Sequence, residues 1–310
     1  MNALTSLPKL GVGINYQPEF IPLLRACGDA VDFIEVSPDI LCQEYWDGAQ
    51  RRTGFSPDRL SAVIEWCRLY PVVVHGLGLS IGSASGWNQD YIRILDSFAD
   101  VQTFHWHSEH LGFLQIRTAD GVGLHAGVQL PVPFTEEALN IICPRIEAIQ
   151  QRYQTPFLLE NTTYYLPNMP NDAGMDEIEF LNRITERTSC GLLLDLYNLY
   201  CNAINFGFDV YEALGRLDMS KVVEIHVAGG AIHDGLQLDV HSDEPPQPVW
   251  ELLDWTLQRA PNANAIIYEL LEQALDIVGE RGIQKQLATA RDIWLRHRQP
   301  VIEERRYAVT

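Results

Sequence analysis

Residues 222–242 read VVEIHVAGGAIHDGLQLDVHS and bring His226, His233, Asp239 and His241 into a short span. Imidazoles and a carboxylate this close, the first directly after an apolar run, are the donor types that hold a transition metal facing a pocket. On this stretch alone, a strand followed by surface histidines reads equally well. The rest of the chain must decide between them.

The elements that would position these residues form a regular series. Apolar runs bounded by turn formers predict strands over 11–15, 32–37, 72–78, 103–111, 157–162, 191–198, 222–230 and 265–270. Between them, helical patterning is expected over 17–29, 56–69, 88–98, 135–153, 176–187, 209–217 and 248–260, and in a last segment reaching about 298. Ser56 before Pro57 reads as an N-cap, and Thr135 before two glutamates starts a long helix. Near-continuous apolar strands alternating with helices indicate a parallel sheet covered by helices. Eight such units predict an α/β fold of the closed (β/α)8 TIM-barrel class. We expect one domain over 1–310, with the barrel core at about 10–298. A Rossmann fold is disfavoured because no G-x-G-x-x-G opens a helix after the first strand.

Such a barrel gathers the C-terminal ends of its strands on one rim, where active sites lie. The polar residues that follow the apolar runs are Glu35, His75, His110, Glu160 with Asn161, Asp195 with Asn198, His226 and Glu269. A buried ionisable group is costly unless it is paired or bound to metal. Seven of eight strands ending this way therefore points to a metal site more than to core packing. Mixed imidazole and carboxylate donors suit iron, zinc or manganese better than magnesium or calcium. With Asp239 and His241 added, the rim offers more donors than one ion uses, so two or three ions are expected. His110 competes with His105 and His107, which alternation puts on one strand face. His125 and His297 lie away from the strand ends and read as surface residues, and Cys201 reads as a buried structural thiol.

Composition bounds the partners. The 310 residues are 46% hydrophobic and carry a net charge of −19, without the basic footprint that a nucleic-acid backbone requires. No apolar run reaches the length of a membrane span, and the N-terminus lacks a signal-peptide pattern. The six cysteines are scattered without a C-x-x-C pair, as in reduced proteins, so a cytoplasmic location is expected.

Several segments together resemble the DUF692 family, the multinuclear non-heme iron-dependent oxidases. They are HGLGLSIGSA (75–84), SEHLGF (108–113), LLENTTYY (158–165), GLLLDLYNLYCNA (191–203), EIHVAGG (224–230) and LDVHS (238–242), in order along most of the chain. The resemblance implies a TIM barrel holding two or three irons, with mixed valence among them, or zinc or manganese in their place. It implies an enzyme that uses dioxygen to modify a ribosomally made peptide, often at cysteine, with a small partner protein delivering the substrate. By motif match His75, His110, Glu160, Asp195, His226, Asp239, His241 and Glu269 would be the metal ligands, and Asn161 and Asn198 supporting or additional ones. Two positions depart from the family pattern: Ser37 stands where a His is usual, as does Gly230. These departures bear on a full three-iron cluster, for which Asp39, His107 or His233 are the nearby substitutes. Two other classes remain open: a metal-dependent sugar isomerase or epimerase, and a non-catalytic peptide-binding relative with a partial cluster.

Overall fold

The computed structural model describes residues 3–117 and 123–298. Eight parallel strands close into a barrel: β1 (Gly11–Asn15), β2 (Phe33–Val36), β3 (Val72–Gly76), β4 (His107–His110), β5 (Phe157–Glu160), β6 (Gly191–Asp195), β7 (Val222–Val227) and β8 (Ala265–Tyr268). Each pairs with its sequence neighbours, and β1 closes the ring against β8 in the register Val12 to Ile266. This is the expected (β/α)8 architecture. Ten α-helices are present among the described residues, of which α3 (Gln89–Ala99), α4 (Glu136–Tyr153), α6 (Leu196–Phe206), α8 (Gln247–Leu257) and α10 (Gly279–His297) matter below.

Two layers fill the barrel interior. Because side chains alternate along a strand, each strand sends every second residue inward. The lower layer is Phe33, Val73, Trp106, Leu158, Leu193, Val223, Ala265 and Ile267, closed beneath by Leu4 and Leu10. Gly13 makes room in β1: a Cβ there would meet the Phe33 ring at 2.7 Å. Two residues further along the strands the interior turns ionisable, with Glu35, His75, Glu160, Asp195 and Glu269. In β7 a bulge lets Leu192 pair with Val222 and Leu193 with Glu224, skipping Val223. The extra residue joins the lower apolar layer while Glu224 and His226 stay on one face above it.

Several boundaries differ from the sequence reading. The expected helix over 17–29 is split into a 3-10 turn, a helix over Ile21–Cys27 and a second turn, with Gly28 in the left-handed region. Pro57 starts its helix as expected, but Ser56 makes no side-chain cap bond. Strand β4 is only four residues long, and β6 ends at Asp195, so Asn198 lies in the first turn of α6. Three β-hairpins were not anticipated: Cys42–Asp47 with Gln50–Phe55, Gly112–Arg117 with Gly123–Pro131, and Ala231–His233 with Leu236–Leu238. They follow β2, β4 and β7, so all three rise from the rim that carries the ionisable layer. All six cysteines are free thiols, and no helix among the described residues is long and apolar enough to cross a membrane.

Candidate metal centre

Glu160 is the hub. Its Oε2 lies 3.2 Å from His75 Nε2 and 3.3 Å from His110 Nε2, and the two imidazole rings are 4.7 Å apart. These three residues offer donor atoms close enough to surround one ion. Glu160 also belongs to a second group, with Asp195, His226 and Glu269, whose donors likewise lie within 4.8 Å of one another. His226 Nδ1 stands 2.9 Å from Glu269 Oε2 and 4.0 Å from Asp195 Oδ2. Both groups share the Glu160 carboxylate.

Asp239 and His241 arrive from the loop after β7. His241 Nε2 is 2.6 Å from Asp239 Oδ1, and its Nδ1 is 3.4 Å from Glu269 Oε1. The left-handed backbone at His241 turns the chain back toward β8, where its carbonyl accepts the Leu271 N–H. The loop is held from outside: the Tyr165 hydroxyl accepts the Asp239 N–H at 3.0 Å, and the Tyr197 hydroxyl donates to Leu238 O.

The donors fit a metal because their own hydrogen bonding is incomplete. His75 Nε2, His110 Nδ1, Glu160 Oε2, Asp195 Oδ2, Asp239 Oδ1 and His241 Nε2 are buried atoms without a hydrogen-bond partner. Buried polar atoms are otherwise paired in folded proteins. These imidazole and carboxylate atoms are of the donor types that hold iron, zinc or manganese.

Electrostatics support this. Burial drives His75 and His110 below the usual histidine range, keeping them neutral with a free lone pair. Burial, reinforced by neighbouring acids, holds Glu160 well above the usual carboxylate range and pushes Asp195 up to about 7. For His226 burial opposes the charged form, but Glu35 and Glu269 outweigh it and hold the imidazole well above its usual range. His241 is raised in the same way by Asp239 and Glu269. Burial also works against the Glu269 carboxylate, yet His241 and His226 keep it below the usual range. The acids and imidazoles thus compensate one another as far as they can.

The eight residues expected as ligands all come to this rim. Asn161 and Asn198 stand beside them as supporting residues. Asn161 clamps the backbone of β6, accepting the Asp195 N–H and donating to the Asp195 carbonyl, each at 2.9 Å. Asn198 donates to Glu160 Oε1 at 3.2 Å, and its backbone N–H caps onto Asp195 Oδ1.

The possible substitutes stand elsewhere. His107 faces outward, bonded to Glu109 and packed against Phe157, and Asp39 accepts the Leu77 N–H. His233 is exposed beside Asp234. His105 is exposed, and His297 is half-buried, bonded to Asp254 of α8. The side chain of His125 lies outside the described residues. Cys201 is sealed inside α6. No side chain fits at Gly230, where a Cβ would stand 2.2 Å from Leu238 O and 2.6 Å from the Tyr197 hydroxyl. Ser37, half-buried, opens the 3-10 turn leading to the first hairpin.

Sequence reasoning left two residues out. Ser108 donates to Val74 O at 3.2 Å and so meets His75 Nδ1, 3.0 Å away, as an acceptor. Glu224, wholly buried, takes the Trp106 indole N–H at 2.8 Å. The signal for both was available: each sits two residues before a rim histidine, on the same strand face.

The pattern of a protein family described as "RiPP precursor modification enzyme MbnB/TglH/ChrH" matches residues 11–294. A UPF0276 protein of Caulobacter vibrioides is 35% identical over 295 residues, covering 94% of this chain and 96% of its own. A UPF0276 protein of Nitrosospira multiformis is 31% identical over 260 residues, covering 82% and 84%. Among solved structures, a D-psicose 3-epimerase from Clostridium cellulolyticum H10, crystallised with D-tagatose, superposes with a TM-score of 0.58 at 10% identity. It covers 91% of this chain and 99% of its own. An IOLI protein with a bound zinc atom superposes with a TM-score of 0.57 at 14% identity, covering 94% and 100%. At these identities the likeness is one of fold.

Proposed function

The chain belongs to the MbnB/TglH/ChrH family of RiPP precursor modification enzymes, and from that premise we propose that it is an iron- and dioxygen-dependent oxidase of a ribosomally made peptide. The observation that carries the reading is Glu160, shared between a three-donor and a four-donor group, with its Oε2 buried and without a hydrogen-bond partner. It supports a pair of irons. His75, His110 and Glu160 would hold one, Glu160, Asp195, His226 and Glu269 would hold the other, and Asp239 and His241 would add donors from the loop after β7. With no side chain at Gly230 and Ser37 in place of an imidazole, two ions suit this chain better than three.

When bound, iron supplies the binding of dioxygen and the electrons that reduce it. The protein does the rest. Ser108 keeps the His75 proton on Nδ1, leaving Nε2 to face Glu160. Asn198 occupies Glu160 Oε1 and leaves Oε2 toward the two histidines. Glu160, Asp195 and His226 are sealed, whereas His110 retains 20% side-chain exposure and Asp239 and His241 also reach solvent. A substrate side chain, a cysteine in our reading, would therefore enter on the His110–His241 side.

The three hairpins around this mouth favour a peptide over a small sugar. They carry exposed apolar residues, Trp46 at 71%, Val128 at 64% and Ile232 at 73%. Unpaired hairpin edges and apolar side chains are what an extended peptide, or a small partner protein delivering it, can pair with. The −19 charge disfavours nucleic acid.

The test is metal analysis of protein purified anaerobically with iron, followed by oxygen uptake with the peptide encoded beside its gene. About two irons per chain and a peptide mass change are expected. Less than one iron, with no uptake on any candidate peptide, would refute the reading. A second reading rests on the four-donor group, complete by itself for one divalent ion. A single bound ion that turns over a sugar without consuming oxygen would establish an isomerase or epimerase instead.

A further inference from the structure

Beneath the four-donor group lies a second buried set: Glu35, Glu224 and His226 also offer donor atoms within 4.8 Å of one another. His226 Nε2 is 3.0 Å from Glu35 Oε2, while Nδ1 faces Glu269 on the opposite side of the ring. Glu35 Oε1 and Glu224 Oε1 are both buried without a hydrogen-bond partner. Trp106, from the apolar layer below, anchors the other Glu224 oxygen. A neutral imidazole has one N–H and one lone pair, so it can serve only one of the two sets as a ligand.

We propose that Glu35, backed by Glu224 and Trp106, positions His226: it accepts the Nε2–H and thereby directs Nδ1 to the metal. The upper set then has four donors around one ion, while the lower set is left as the support that fixes the ring. His75 is arranged with the opposite sense. There Ser108 takes the Nδ1–H and Nε2 faces the cluster. The two histidines thus present different ring nitrogens to neighbouring positions, each chosen by the partner on its far side. Outer partners of this kind set ligand orientation and basicity.

The inference rests on the metal-centre reading only in requiring an ion at His226. It is tested with zinc, so failure of the oxidase reading leaves it standing. In zinc-loaded protein carrying 15N-histidine, long-range proton–nitrogen spectra should show His226 metallated at Nδ1 and protonated at Nε2, and His75 the reverse. Chelator competition should show Glu35→Ala weakening zinc at the His226 position by roughly 10–100-fold. Glu35→Gln should stay within several-fold of the parent, because its amide oxygen still accepts the Nε2–H. His226 metallated at Nε2 would place the ion in the lower set and overturn the proposal. Unchanged zinc affinity in Glu35→Ala would overturn it too. Should Glu35→Ala not fold, the spectra of the parent and of Glu35→Gln decide.

Discussion

The lower and upper layers of the barrel interior are built on the same eight strands and are both buried, yet they do opposite things. Below, Phe33, Val73, Leu158, Leu193 and Ile267 are wholly buried, and each contributes about 1.5–3 kcal/mol through burial. Above, Glu35, His75, Glu160, Asp195 and Glu269 are nearly as buried, and each charged group costs several kcal/mol before its partners repay it. The separation between layers is two residues along each strand, one full side-chain repeat. The lower layer makes the barrel; the upper layer spends part of that stability on holding donors together. A ligand that satisfies the upper layer returns some of it.

That contrast can be broken most severely at Glu160. Glu160→Gln removes the shared carboxylate from both donor groups, and metal analysis after dialysis should find both positions depleted. The loss should exceed the roughly 10–100-fold usual for outer partners. The metal-free variant should unfold no earlier than the parent, because a desolvated acid has gone. Retention of two ions would remove Glu160 as the shared donor.

The converse change is Leu193→Ala in the lower layer. Denaturant unfolding should show a loss of about 2–5 kcal/mol, with metal bound per folded chain unchanged. A matching fall in metal content would mean that the layers are not separable. Smaller still is the effect of the metal on stability. At a free concentration of about 100 times its Kd, an ion should add about 2.7 kcal/mol to the parent and to Leu193→Ala alike, and nothing to Glu160→Gln. Thermal melts with and without a chelator measure it.

A buried acid away from the rim separates burial from ligation. Glu177 lies outside the barrel, where burial raises it to about 8 despite the bond from Asn202. Its unfolded value is about 4.3. Between those values the folded state keeps the proton and the unfolded state releases it, so this group makes stability fall as pH rises. The slope is at most about 1.4 kcal/mol per pH unit. Glu177→Gln should flatten the decline in unfolding free energy across that window without changing metal content. An unaltered slope would show that Glu177 is not held neutral.

Much of this was readable before any coordinates. The apolar runs mark all eight strands, and the polar residues that end them include the ligand candidates His75, Glu160, Asp195, His226 and Glu269. Residue pattern alone left His110 in competition with His105 and His107, and the motif match chose His110; in the fold His107 turns toward Phe157. The hairpins escaped notice because 42–55 and 112–131 lack a strong alternation, and their strands are stabilised mainly by pairing with each other. The supporting contacts of Asn161 and Asn198, to the Asp195 backbone and to Glu160, became visible only in the fold.

The sequence by itself determined the barrel and the chemical character of its rim, because strand periodicity and residue type are local properties. Only the tertiary structure decided which donor side chains stand together, that Glu160 stands in both groups, and that Glu35 and Glu224 lie under His226. Those relations join residues far apart in the chain, and their distances are set by closure of the sheet and by the bulge in β7.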